Sequence, residues 1–145
     1  MKTKRHHWKK ATILAAIVIA SASASANGVA PPRADALKAR VEARWKALGS
    51  HDFKAAYELE TPTYKKVFPY NLFLNKFAIG SVSSLKGIDK MEYDPERKVA
   101  SVIVDLDTRT TRKAAESWIK KMLVPTRVRE KWIMVDGVWY HVNSD

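Results

Sequence analysis

The chain contains no cysteine. This absence excludes disulfide bonds, a thiolate nucleophile and thiolate ligands for a metal ion. The sequence also lacks the glycine-rich patterns that bind phosphates or dinucleotides, and it has no serine in the spacing of a nucleophile elbow. Nucleotide-dependent and acyl-transfer chemistry are therefore unsupported. What remains indicates a fold and a compartment more clearly than a reaction.

Acidic residues are missing from the first 26 positions, where five basic residues precede the apolar run ATILAAIVIA and a small-residue ending, Ala24-Ser25-Ala26. This order is typical of a secretory signal peptide. We predict that residues 1–26 are removed before Asn27 and that the mature chain is periplasmic or secreted. The apolar run has about half the ~20 residues that a spanning helix needs, so an uncleaved anchor is the alternative.

The formal net charge is +11 for the whole chain and +6 without the leader, which holds five basic residues and no acidic one. The positive charges form no evident stripe in the sequence, so we expect no nucleic-acid partner, and membrane contact only through an uncleaved leader. His51 and His141 are the histidines outside the leader, and their separation fits no metal-ligand spacing. We therefore expect neither a metal nor another cofactor.

Helical spacing dominates the first part of the mature chain. After a linker at 27–34, which contains Pro31 and Pro32, we predict one domain at 35–145. In its first helix the apolar residues recur at helical intervals, charged residues are expected on the opposite side, and Gly49 is expected as a left-handed cap. The apolar residues are Leu37, Val41, Trp45 and Leu48, and the charged ones are Lys38, Arg40, Glu42, Arg44 and Lys46.

Two shorter helices are predicted next, one capped by Ser50 or Asp52 and ended by Pro62, the other capped by Asn71 and ended by Gly80. Between them, residues 61–69 are expected to form a turn and a short irregular helix.

Strand patterns follow. We predict short strands at 82–85 and 88–93, a long alternating strand at 98–108 and another at 124–135, with residues 110–122 forming a loop or a short helix. Asp136-Gly137 between runs rich in Val, Ile, Trp and Tyr predicts a two-residue hairpin, in which Val135 pairs with Val138 and Trp132 with His141. The class is therefore α+β, with N-terminal helices packed on a curved, mostly antiparallel sheet.

This order, together with several short phrases, resembles the nuclear-transport-factor-2-like superfamily, the α+β cone that also includes ketosteroid isomerase, scytalone dehydratase and polyketide cyclases. The phrases are RWKAL at 44–48, DFKAAY at 52–57, TPTY at 61–64 and the hairpin at 132–142. They are similar to those of small exported bacterial members without an assigned activity. The resemblance covers residues 35–142, and the chain departs from it at 110–122.

The resemblance implies a conical cavity between the first helix and the concave side of the sheet. The aromatic residues that could form its wall are Trp45, Tyr57, Phe73, Phe77, Trp132 and Trp139. Aromatic residues at helical and strand spacing also suit an ordinary core, and that interpretation stays open for each of them.

Catalytic candidates are weak. Asp105 and Asp107 share one face of a strand and would have raised pKa values only if an apolar cavity enclosed them; a solvated strand end is the simpler interpretation. His141 and Tyr57 are the other candidates, and no catalytic residue can be carried over from the isomerase because no phrase fixes the register.

We therefore expect an exported, non-catalytic domain that binds a small apolar ligand or a protein partner through the cavity and the sheet. The alternatives are an isomerase-, dehydratase- or cyclase-type enzyme with a pocket carboxylate, and a subunit of an envelope assembly, including a homodimer.

Overall fold

The computed structural model describes residues 29–77, 80–112 and 116–143, so the predicted leader and its cleavage point lie outside the described residues. The described residues confirm the α+β class, because four helices precede the first strand of a four-stranded antiparallel sheet of order β1-β2-β3-β4. The helices are α1 (Ala34–Gly49), α2 (Phe53–Glu58), α3 (Pro62–Val67), α4 (Tyr70–Asn75) and α5 (Ser117–Lys121). The strands are β1 (Ser81–Asp94), β2 (Val99–Thr110), β3 (Val124–Val135) and β4 (Val138–Val142).

Helix α1 buries the predicted apolar stripe against the sheet. The prediction that Arg44 lies on the charged side of the helix, opposite the apolar stripe, was wrong, since only 8% of its surface is exposed. Arg44 lies seven residues after Leu37 and four before Leu48, and these intervals place it on the apolar side of the helix.

The cap predicted at Gly49 was also wrong. Gly49 is the last residue of α1, and the left-handed residue is His51, with φ 60°. Close packing explains the glycine at position 49 instead, because a Cβ atom there would lie 3.2 Å from the carbonyl oxygen of Ser83. The end of α1 therefore approaches β1 closely.

The short helices begin at side-chain caps where the sequence offers them. Asp52 caps α2 by accepting a hydrogen bond from the Ala55 amide at 3.0 Å, as predicted, and Thr61 caps α3 by accepting from the Tyr64 amide. The cap predicted at Asn71 was wrong: α4 begins one residue earlier, at Tyr70, and follows Pro69.

Strand β1 is a single strand of 14 residues where the sequence predicted two short ones. The interruption in its apolar pattern has a structural counterpart. The pairing with β2 shifts register between Leu85 and Gly87 and again between Ile88 and Lys90. Each shift is a β-bulge, which changes the side-chain alternation without ending the strand.

The C-terminal hairpin has the predicted register. Val135 pairs with Val138, and Trp132 pairs with His141. Asp136 and Gly137 have φ values of 50° and 77°, and positive values at both turn positions match the twist of the flanking strands.

The core lies between α1 and one face of the sheet, called here the inner face. Alternate residues of β2 are buried there, as are Trp132 and Trp139. The segment before α1 is fastened to the hairpin, since Trp139 Nε1 donates to the Pro32 carbonyl at 3.1 Å and an Arg33 guanidinium nitrogen donates to the Gly137 carbonyl at 2.6 Å. Among the described helices, none has the length and apolarity needed to cross a bilayer.

We predict that Gly137→Ala lowers the free energy of unfolding by about 1–2 kcal/mol, because an L residue with a Cβ is strained in the left-handed region. Urea denaturation measures the loss. Gly87→Ala is the matched control, since a Cβ at Gly87 would meet no atom within 4 Å. Equal effects of the two substitutions would contradict the turn assignment.

Candidate functional site

Four ionisable side chains meet beneath the inner face of the sheet. They are Arg44 of α1, Glu60 just after α2, Glu130 of β3 and His141 of β4, and all four are buried. We call them the buried ion cluster. Such groups are almost never buried unless they are paired, so close bonding among the four is required.

Glu130 is bonded through both carboxylate oxygens. Arg44 Nη1 donates to Glu130 Oε1 at 2.8 Å, and the indole Nε1 of Trp132 donates to Oε2 at 3.2 Å. The alternation of β3 explains the second bond, because Glu130 and Trp132 are two residues apart and share one face.

Glu60 is bonded to the imidazole of His141, with distances of 2.9 and 3.0 Å from Nδ1 to its two carboxylate oxygens. With Glu60 as a carboxylate, whose oxygens only accept, His141 donates this bond from Nδ1. A backbone hydrogen bond also joins these two segments, since the His141 amide donates to the Leu59 carbonyl at 2.8 Å. Arg44 Nη2 lies 3.8 Å from Glu60 and completes the cluster.

This cluster has the residue types of an acid–base pair, but its polar atoms are directed at one another. Glu60 is 0% exposed, and none of the cavities described below is lined by Glu60, Glu130 or His141. Acid–base catalysis needs a substrate within hydrogen-bond distance of the group. We therefore assign the cluster a role in structure and positioning.

A cavity of about 220 Å³ lies beside the cluster, between the end of α1, the start of α2, the residues after α4 and the start of β1. Its walls are mainly aromatic and aliphatic, with polar groups from two basic side chains, one histidine and two serines. The lining residues are Arg44, Trp45, Leu48, His51, Phe53, Lys76, Phe77, Ser81, Val82 and Ser83. The rings of Phe53 and Phe77 stack with centroids 5.0 Å apart.

Two residues of this wall each contain a buried N–H group without a hydrogen-bond partner among the described residues: Arg44 at Nε and Trp45 at Nε1, both shielded from solvent. Such groups are costly, and each one in a native protein calls for an explanation. Trp45 also lines a wider groove of about 480 Å³ against β1, whereas Arg44 lines the smaller cavity only.

The predicted wall residues separate into two groups. Trp45 and Phe77 line the cavity. The other four predicted residues do not: Phe73, Trp132 and Trp139 are almost completely buried in the core, and Tyr57 packs on Tyr70 and Phe73 with its hydroxyl donating to the Phe68 carbonyl at 2.8 Å. Phe53 is a wall residue that the sequence reasoning left out.

The weak catalytic candidates lie apart from one another. Asp105 is on the outer face of the sheet, where it lines an open groove of about 430 Å³ and accepts hydrogen bonds from Arg127 at 2.8 and 3.1 Å. His141 is on the inner face, within the buried ion cluster. Because the sheet separates these two groups, they cannot act on one substrate.

Sequence reasoning missed the acidic members of the cluster. The alternation of side chains along a strand places Glu130 on the same face as Trp132, so the sequence did contain a signal that Glu130 is buried. Glu60 follows a short helix and precedes Thr61-Pro62, where no periodicity indicates burial. For metals, the described residues contain no group of three or more His, Asp or Glu side chains that could hold an ion.

We predict that Glu130→Ala lowers the free energy of unfolding by about 3–5 kcal/mol, because it leaves the buried charge of Arg44 without its nearest partner. Urea denaturation measures the change. Glu58→Ala is the control, since it removes an ion pair of similar length, 2.7 Å to Lys65, on a side chain that is 61% exposed. The control should lose less than about 1 kcal/mol. A similar small loss in Glu130→Ala would show that the cluster does not stabilise the fold.

We predict that Asp105 titrates below its ordinary pKa of 3.8, because the hydrogen bonds from Arg127 favour the carboxylate. A lowered pKa in the folded state means that the interaction stabilises the protein above the ordinary pKa and is lost as the pH falls through the folded value. Carboxyl carbon NMR measures the titration. Arg127→Gln should raise the pKa of Asp105, and an unchanged midpoint in this variant would contradict the assignment.

No protein-family model matches the chain. Nor does any curated protein sequence match it. Among solved structures, the chain is similar to a SEC-C motif containing protein from Rhodopseudomonas palustris, determined in solution, with 15% identity and a TM-score of 0.49. The match covers 82% of this chain and 80% of that one. At this level the similarity carries no argument about function, so the function has to be argued from the cavity itself.

Proposed function

We propose that the chain is an exported, non-catalytic domain that binds a small, largely apolar molecule in the cavity beside Arg44 and Trp45. The observation that carries the proposal is the cavity itself, a space of about 220 Å³ with an aromatic and aliphatic wall and a few polar side chains, including Arg44 and His51. Ligand pockets are commonly apolar with a few polar groups that fix the orientation of the ligand.

The volume limits the size of the molecule. The cavity holds about 220 Å³, below the roughly 300–1,000 Å³ typical of pockets for drug-sized ligands. A ligand with one ring or a short branched chain fits this space. Its apolar part would lie against Trp45 and the stacked rings of Phe53 and Phe77.

The polar wall limits the chemistry of the other end of the molecule. The described lining includes Arg44, His51 and Lys76 and contains no carboxylate side chain. A cationic or donor-rich ligand would find few acceptors there. The proposed ligand therefore carries a carboxylate or a carbonyl, which can accept hydrogen bonds from the donor side chains of this wall.

Membership of the nuclear-transport-factor-2-like superfamily, the conical shape of the cavity and export are parts of the same proposal. The cavity's place between α1 and the start of β1 supports the first two, since the superfamily binds ligands between its first helix and its sheet. The signal-peptide pattern of residues 1–26 supports the third.

The bonding of the carboxylates to other side chains favours binding without catalysis. Glu60 and Glu130 are bonded within the buried ion cluster, and Asp105 is paired with Arg127 on the other face of the sheet. An isomerase- or dehydratase-type reaction requires an acid or base that reaches the substrate. The described cavity lining contains no carboxylate, and its histidine, His51, is exposed in the loop between α1 and α2.

The test is a screen of small aromatic and branched aliphatic carboxylic acids and ketones, followed by indole N–H resonances in ¹H–¹⁵N NMR spectra. We expect ligands to shift the Trp45 indole signal and to bind Trp45→Phe about five- to tenfold more weakly, because the smaller phenylalanine ring covers less of the apolar surface of the ligand. Trp118→Phe, which changes an exposed tryptophan outside the cavity, should bind normally. Ligands that bind both variants equally, or that leave the Trp45 signal unmoved, would contradict the proposal.

A further inference from the structure

The connection between β2 and β3 exposes an unusual amount of apolar surface. Trp118 of α5 is 64% exposed, and the consecutive residues Met122, Leu123 and Val124 are 48%, 54% and 47% exposed. Three exposed apolar residues in a row are avoided on ordinary surfaces unless they have a function. Trp118 and Met122 are also four residues apart, the interval that places side chains on one side of a helical turn. We call Trp118, Lys120, Lys121, Met122, Leu123 and Val124 the Trp118 patch.

The same connection carries a local excess of positive charge. Residues 111–123 hold four basic residues and one acidic residue, a net charge of +3, which is half of the +6 carried by residues 27–145. Arg109, Lys120 and Lys121 are exposed in the structure. The excess charge is therefore gathered beside the exposed apolar residues, which neither composition nor total charge indicates.

The combination of exposed apolar residues and positive charge favours some partners of the patch over others. A second copy of the chain would bring an equally positive surface against it, and the like charges would repel. A free polyanion would neutralise the lysines but leave Met122 and Leu123 in water. A protein partner of ordinary affinity covers about 800 Å² on each side, whereas the patch is one short segment of the chain, residues 118–124.

An anionic lipid surface meets both requirements. Tryptophan concentrates at the boundary between headgroups and acyl chains, aliphatic side chains enter the acyl region, and lysines remain at the level of the anionic headgroups. We propose that the Trp118 patch docks the folded domain on an anionic membrane, with Trp118, Met122 and Leu123 inserted at the interface. This contact is independent of the leader and of the cavity.

The experiment uses the full chain with one environment-sensitive fluorophore, NBD. Because the chain has no cysteine, Met122→Cys supplies a unique attachment point. The control is Val138→Cys, at an exposed apolar residue in the hairpin. Both proteins keep the leader, so tethering through the leader is the same for both and only the local surroundings of the label differ. Vesicles of phosphatidylcholine alone are compared with vesicles containing phosphatidylglycerol.

We expect the label at 122 to brighten and shift to the blue with anionic vesicles, less so at high salt, and the label at 138 to stay unchanged. Lys120→Gln with Lys121→Gln should raise the lipid concentration at half-maximal change about 30-fold, since each basic residue at such a surface contributes about fivefold. Lys38→Gln with Lys54→Gln, at exposed positions of α1 and α2, is the matched control and should have little effect.

Three results would overturn the proposal. The label at 122 could remain in an aqueous environment with anionic vesicles. It could respond equally to neutral vesicles, which would remove the role of charge. The label at 122 could be buried in the absence of vesicles, to an extent that increases with protein concentration. This result would show that a second copy of the chain covers the patch.

Discussion

The hydrogen bond from Arg44 to Glu130 joins the first helix to the third strand across 86 positions of the sequence. Both groups are buried, and a charge removed from water is tolerated only when it is closely paired. The bond therefore forms only when α1 lies on the sheet at one rotation and one height. Apolar packing of Leu37 and Val41 would allow a range of such positions. The buried ion cluster adds directional bonds that restrict this range, at a cost in desolvation that the packing around it offsets.

The cavity depends on the same bonds. Arg44 extends its terminal guanidinium nitrogens toward Glu130 and Glu60, and this orientation leaves Nε of the same group without a partner. The next residue, Trp45, places its ring on the cavity wall. One turn of α1 thus contributes to both the cluster and the cavity. A substitution in the cluster should therefore change the shape of the cavity, because the cluster fixes the position of Arg44, which belongs to both.

Charge is distributed differently in the interior and on the surface. In the interior, two carboxylates face one guanidinium and one imidazole, and each carboxylate has a hydrogen-bond partner among them. On the surface, the positive excess is concentrated near α5, next to the exposed Trp118. The two proposed functions therefore use separate parts of the molecule. The cavity depends on shape and a few donors, whereas the Trp118 patch depends on exposed apolar residues and the positive charge beside them.

The sequence by itself determined the features that depend on near neighbours. The turn chemistry of Asp136-Gly137 set the hairpin register, the side chain of Asp52 capped α2, and the spacing of apolar residues set the buried face of α1. Tertiary structure decided which charged residues are buried. Glu60 has no local signal for burial, and its environment is made by Arg44 and His141, which lie 16 positions before it and 81 after it. A periodic pattern describes one element, but the cost of burying a charge depends on partners that only folding brings together.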